Sequence, residues 1–260
     1  MAFRLDHIVI GVHDLAAAAA DFTQAGFQVT PGGEHSSGNT HNALVAFADG
    51  AYLELIAFKD RQIDPAHKWG AQLAAGEGFL DFALLAGDLD GEAARLARAG
   101  VVTGGVRPLG RLRPDGERIE WLLLSPDTST HPLPFLIDDL TPRQRRVPGG
   151  AATEHPLGVT GVAGVSLLVP DLLTTAEKFA ALLDTPGREI TSHIAGVASA
   201  QRFDLDSQWI ELAQPRPDAQ DLLDVLAERG PAPYEVSLTG RGSGELLPVA
   251  RTHQARIRVA

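Results

Sequence analysis

His7 and Glu54 are the residues whose type and setting most suggest chemistry. His7 interrupts the apolar alternation of "LDHIVIGVHDL" and falls in phase with Val9 and Gly11, on one face of a strand. Glu54 stands in "YLELI", in phase with Tyr52 and Ile56. A carboxylate between Leu53 and Leu55 is costly to bury without a partner. One imidazole and one carboxylate facing a shared cleft make half of a divalent-metal site, or a base and its orienter. A second cluster is "GGEHSSGNTHNAL", residues 32–44, where His35, Thr40, His41 and Asn42 crowd a glycine-rich turn that enters a strand. Polar groups aimed from a turn on a rigid scaffold suit small-molecule recognition. Histidine suits proton transfer, because its ordinary pKa lies near neutrality. His41 is therefore expected as the proton-transfer residue beside Glu54. His35, Thr40 and Asn42 are expected as binding residues, with Trp121 lining the cleft. Trp69 is open to the same role, with plain core as the alternative for both tryptophans.

The composition narrows the classes. The chain has 260 residues, 44% of them hydrophobic, and a formal net charge of −11. No Lys/Arg run offsets that acidic field, which argues against nucleic acid or an anionic membrane as partner. There is no cysteine, so thiolate catalysis, disulfides and Cys-ligated metals are excluded. Any metal must use His, Asp and Glu. The opening "MAFRLDHIVIGVHDLAAAAA" is interrupted by Asp6, His7, His13 and Asp14, unlike the apolar core of a signal peptide. No apolar run reaches the roughly 18 residues of a membrane span. A cytoplasmic protein with a small-molecule ligand is expected, and a homodimer is left open.

The elements that must position these residues recur along the chain. "HIVIGVHDLAAAAADFTQAGF" (7–27), "DFALLAGDLDGEAARLARAGV" (81–101) and "GVSLLVPDLLTTAEKFAALLD" (164–184) each run from an apolar strand through Asp-Leu into a helical pattern. Asp14, Asp88 and Asp171 occupy the same place and suit a helix N-cap, accepting free N–H groups of the first turn. Three short strand patterns follow each helix. The unit is β-α-β-β-β, three times over, with a reduced fourth copy from Tyr234: a strand, a helix and at most one further strand. Such a module cannot cover its own sheet. The expected fold is α+β, with tandem modules forming curled mixed sheets around a cleft and the helices outside. Residues 1–140 hold two paired modules, 141–158 read as a polar linker, and 159–260 as a second, degenerate half.

These features together resemble the vicinal oxygen chelate superfamily. "GNTHNALVAFADGAYLELIAF" (38–58) and "LPFLIDD" (133–139) are similar to its glyoxalase-like domain proteins. The resemblance implies metal ligands on the first and last strands of paired modules. His7 and Glu54 match those places in the first module. Matching Asp14 to Asp88 sets Asp81 in the place of His7, so His7, Glu54 and Asp81 form the expected metal set. The fourth place falls at Phe135, which cannot ligate, and in the third module Gly164 stands where His7 would be. The implied activity is lyase or isomerase chemistry on an oxygen-rich metabolite, with a divalent ion (Zn, Ni, Mn or Fe) or none. A metal-free binding protein of the same fold is the alternative, and enzymatic status stays open. "TGRGSGELL" (239–247), read as following a strand and preceding a helix, lacks the spacing of a dinucleotide-binding turn.

Overall fold

The computed structural model describes residues 3–59, 63–128, 131–242 and 244–260. The first module comprises β1 (Arg4–Gly11), α1 (Leu15–Gln24), β2 (Thr30–His35), β3 (Thr40–Ala46) and β4 (Tyr52–Phe58). A short helix, α2 (Gly70–Ala75), leads to the second: β5 (Gly78–Leu85), α3 (Leu89–Arg98), β6 (Thr103–Leu112), β7 (Arg118–Pro126) and β8 (Phe135–Asp139). Asp14, Asp88 and Asp171 cap their helices as expected, accepting from the backbone N–H groups of Ala16 and Ala17, of Gly91, and of Thr174.

In each module the helix carries the chain across the sheet. The last strand therefore lies parallel to the first, β4 on β1 and β8 on β5. β1 and β5 pair antiparallel, β2 pairs with β6, and the eight strands close into a barrel in the order β1-β4-β3-β2-β6-β7-β8-β5. Alternation along each strand separates two cores. Ile8, Ile10, Leu53 and Leu55 face outward to the helices. Val9, Ile56, Trp121, Leu123, Phe135 and Ile137 fill part of the interior.

The segment after β8 carries a one-turn helix, α4 (Arg143–Arg146), and a 3-10 turn at 150–153. The third module follows: β9 (Gly161–Leu168), α5 (Leu172–Leu183), β10 (Arg188–Ile190), β11 (Val197–Leu205) and β12 (Gln208–Pro215). Helix α6 (Gln220–Arg229) then leads to β13 (Ala232–Thr239), β14 (Glu245–Leu246) and β15 (Arg256–Val259). Two expectations for the fourth module are corrected. No helix follows residues 239–247; β14 falls within that stretch and turns lead on to β15. Two further strands rather than at most one follow β13: β15 pairs parallel with β13 as β8 does with β5, and β14 pairs with β15. The reduction falls on the helix and middle strands, so this sheet stays open, in the order β10-β11-β12-β9-β13-β15-β14. One buried apolar cluster runs through both halves, from Phe22 and Leu53 to Phe179 and Ile257. Among the described residues no helix is long and apolar enough to cross a membrane.

Candidate active site in the barrel

The barrel encloses a cavity of about 350 Å³ whose polar floor includes His7, His35, Thr40, Asn42 and Glu54. Strand phase accounts for most of this set. His7 pairs in register with Tyr52, and Val9 with Glu54, so β1 turns His7 and Val9 inward while β4 turns Tyr52, Glu54 and Ile56 to meet them. β3 sends Thr40 and Asn42 the same way.

Glu54 is the hub. It is buried, and its two oxygens face different histidines: Oε2 lies 3.5 Å from His7 Nε2 and Oε1 lies 3.5 Å from His35 Nε2. Asn42 Nδ2 donates to Oε1 at 2.6 Å. Burial by itself raises the pKa of such a carboxyl. The hydrogen bond to His35, the charges of His7 and His35, and the Asn42 amide outweigh burial and hold it at about 2. Glu54 is therefore an anion across the physiological range.

His7 is fixed from behind. Its Nδ1 lies 2.6 Å from Asp6 Oδ1. A carboxylate only accepts, so the Nδ1 proton points at Asp6 and Nε2 faces Glu54. Adjacent strand residues normally face opposite sides. Here the β1–β5 register is irregular between Leu5 and His7, the kind of local bulge that re-aims a side chain. The His7 ring stacks on Tyr52 at 4.7 Å between centroids. His35 is anchored by Nδ1 on Thr40 Oγ1 at 2.9 Å.

Beneath this set lies a buried ion network. Arg146 is 1% exposed and makes two 2.8 Å hydrogen bonds to the two oxygens of Asp6. It also donates to Asp139 at 2.5 and 3.0 Å and to the Tyr52 hydroxyl at 2.9 Å. Arg143 adds contacts of 2.5 Å to Asp6 and 3.2 Å to Asp139. Burial opposes the Asp6 charge, but Arg146 and His7 hold its carboxyl well below the usual range. Burial pushes the Tyr52 phenol upward, so it stays protonated. The polar stretch between the halves thus supplies the floor of the site.

The other expected residues are placed as follows. Trp121 and Trp69 line the cavity, Trp121 edge-on to His35 at 6.2 Å. His41 does not reach it. Alternation turns His41 to the outer face of β3, in a groove with α1 residues Leu15, Ala16 and Ala19. Asp81 accepts from Lys68 Nζ at 2.8 Å and from Trp69 Nε1 at 3.1 Å. The Lys68 ammonium also lies 4.3 Å over the Phe135 ring. A cation thus occupies the quarter where a second module would offer ligands. Among the described residues no three of His, Asp and Glu are set to hold one ion. Asp81 is taken by Lys68 and Trp69, so the donors as they stand do not fit a divalent metal held by His7, Glu54 and Asp81.

Arg107, Arg111, Arg146, His67 and Lys68, none of them singled out from sequence, also line the cavity. Gly32 makes room for one of them. A Cβ there would meet Asn42 Oδ1 at 2.0 Å and Arg111 Nη1 at 2.9 Å.

The open half repeats the frame with different contents. Trp209 stands in register with Gly164 as Tyr52 does with His7. A Cβ at Gly164 would lie 2.1 Å from the Trp209 ring, so the indole occupies the space of the missing histidine. Glu211 matches Glu54 but is bound by Ser192 and Arg202, and Glu235 by His193 and Arg258.

A family model described as a glyoxalase-like domain matches residues 5–183. No curated protein matches the chain. Among solved structures, a hypothetical protein from Staphylococcus aureus matches with a TM-score of 0.73 over 99% of both chains, at 13% identity. A mutant of 4-hydroxymandelate synthase from Streptomyces coelicolor matches at 0.57 over 92% of this chain and 71% of its own, at 13% identity. A xylose isomerase-like TIM barrel/4-hydroxyphenylpyruvate dioxygenase fusion protein matches at 0.53 over 92% of this chain and 37% of its own, at 15% identity. At these identities the structural matches show the shared fold alone.

Proposed function

This chain belongs to the glyoxalase-like domain family, a fold of small-molecule enzymes and binding proteins, and we propose that its barrel cavity performs proton transfer on a small oxygen-rich metabolite. The observation that carries this is Glu54, a permanent anion with an imidazole Nε2 at 3.5 Å from each oxygen. A carboxyl held at about 2 is a weak base at neutral pH. Glu54 is better suited to orient two imidazoles and stabilise their charged forms, the part an acid plays behind a catalytic histidine.

His35 and His7 then divide the acid and base roles. His35 is the more accessible, its side chain 10% exposed against 4% for His7. His7 Nε2, left bare because the Nδ1 proton is held on Asp6, takes a proton from carbon beside a carbonyl, and the electron pair moves onto the carbonyl oxygen as an enolate. The pair returns to carbon with a proton from the second imidazole, giving an isomer, or expels a group from the adjacent carbon, giving a lyase product. His35, whose Nε2–H is held on Glu54, serves as that second imidazole. Asp6, Arg146 and Tyr52 hold the His7 ring in place and act as positioning residues.

The test is exchange of carbon-bound protons in deuterated water over a panel of small carbonyl compounds, followed by NMR. His7→Gln and Glu54→Gln should each slow exchange by at least about a hundredfold, while the fold, read by circular dichroism, is kept. Exchange that survives both changes overturns the reading. A second reading is metal-free binding without turnover. It is supported by Phe135 and Lys68, which close off one quarter of the cavity. Saturable ligand binding with no exchange on any compound would decide for it.

A further inference from the structure

Proton transfer leaves two of the cavity's cations, Arg107 and Arg111, without a part. β6 turns Arg107, Leu109 and Arg111 inward as alternate residues of one face. Arg111 is 4% exposed. Its Nη2 donates to the Arg146 carbonyl at 2.7 Å and its Nη1 to Asn42 Oδ1 at 3.3 Å. Its Nε is buried with no partner. Asn42 donates in turn to Glu54, so the Arg111 charge reaches a carboxylate only through a neutral amide. Arg107 is exposed at the mouth and makes no hydrogen bond or ion pair among the described residues.

The charges do not balance. Lys68, Arg107, Arg111 and Arg146 line the cavity, and Arg143 joins their network; Glu54, Asp6, Asp81 and Asp139 are the carboxylates among and around them. Cations are in excess by one, in a chain whose net charge is −11. A buried guanidinium with donor capacity to spare favours an anion strongly, because charge-assisted hydrogen bonds are the strong ones and unmet buried donors are costly. The wall around it is apolar: Leu109, Trp121 and Leu123, with Trp69 and Phe135 beyond.

We propose that the ligand of this cavity is a small organic oxyanion with an apolar, planar body. Its charged end sits on Arg111 and its body lies along Trp121 and Leu123. Arg107 steers it in from solvent. This rests on the reading of the barrel cavity as the ligand site, and adds what kind of molecule enters. A carboxylate and a phosphate ester share the required chemistry, and the probes below separate them.

Two of the chain's three tryptophans, Trp69 and Trp121, line the cavity, so tryptophan fluorescence reports occupancy. The full chain is titrated with benzoate, phenylacetate, phenyl phosphate, inorganic phosphate and the neutral amides benzamide and phenylacetamide. At least one aromatic carboxylate or phenyl phosphate should bind saturably, about tenfold or more tighter than its neutral counterpart. Whichever binds tighter identifies the oxyanion. Inorganic phosphate, lacking the body, should bind more weakly. Arg111→Gln should weaken anion binding by about tenfold to a hundredfold and leave amide binding unchanged. Arg107→Gln, an exposed change that spares the fold, should weaken it a few-fold at low salt and flatten its salt dependence. Amides binding as well as the anions, or anion affinity unmoved in both variants, overturns the proposal. The two readings fail separately. Glu54→Gln should abolish proton exchange yet keep or tighten anion binding, since it removes a negative charge from the cavity. Exchange on neutral carbonyl compounds without anion binding would sink the oxyanion site and leave proton transfer standing.

Discussion

Replacing Arg146 by methionine should cost this protein about 4 kcal/mol at neutral pH. The side chain is 2% exposed and makes five hydrogen bonds: two to Asp6, two to Asp139 and one to the Tyr52 hydroxyl. Methionine fills most of the volume, so packing loss is small and electrostatics dominate. Asp139 is partly exposed and keeps Arg143. Asp6 is fully buried and keeps only Arg143 and His7. Removing one partner of a buried pair costs about 3–5 kcal/mol because the other charge stays desolvated. The lost donor to Tyr52 adds about 1 kcal/mol, and Arg143 offsets part of the total. The pH dependence has a definite sign. In the wild type the folded Asp6 lies well below its ordinary 3.8, so the pair's contribution is present above 3.8 and lost as pH falls through the lower folded value. In Arg146→Met, burial is opposed by fewer charges and the folded value rises. The deficit is then largest at neutral pH and shrinks on acidification, as Asp6 takes up a proton in both states. Urea unfolding at pH 7 and pH 4.5, with Asp6→Asn and the double variant, completes the cycle. The double variant should recover about 2 kcal/mol of the summed single losses. A loss below about 1 kcal/mol, or strict additivity, would refute the reasoning.

Other changes have distinct signatures. Glu54 is buried and held at about 2 against 4.5 unfolded, so its charged form contributes about 3 kcal/mol above pH 4.5, lost as pH falls toward 2. Acid unfolding of Glu54→Gln should lack that component. His41→Ala should leave exchange and ligand binding unchanged, because its ring lies on the outer face of β3; a large loss would place it back in the reaction. Gly164→Ala should destabilise by about 1–3 kcal/mol through its clash with Trp209 and be relieved by Trp209→Leu, measured by thermal melting. Metal analysis after incubation with Zn, Ni, Mn and Fe should find no stoichiometric ion; one that His7→Ala and Glu54→Gln both abolish would restore a metal held by His7, Glu54 and Asp81.

Much of the frame was legible from short-range pattern. The Asp-Leu step marked three helix caps, and the phase of Val9 and Ile56 turned His7 and Glu54 to one side of their strands. His41 belongs to the opposite face of its strand. Thr40 and Asn42 cannot share a strand face with the residue between them, so period two already set His41 apart from its neighbours. The fourth module misled because β14 and β15 have two and four residues, too few to show a period. The stretch around Arg146 read as a connector because polar composition is what a connector and a buried ion network have in common. Asp6, a charge inside an apolar strand, was the available hint that some cation must come to meet it.

The sequence by itself determined the first three modules, their caps, and the strand faces of His7 and Glu54, because those follow from periods of 2 and 3.6 and from local capping chemistry. It could not determine that β2 pairs with β6 to close one barrel while the other sheet stays open. Nor could it show that Arg146 reaches Asp6 across 140 positions, or that Lys68 and Trp69 come to meet Asp81. Those are contacts between segments far apart in the chain. Geometry and desolvation choose them only once the sheets have curled, and no local pattern encodes that choice.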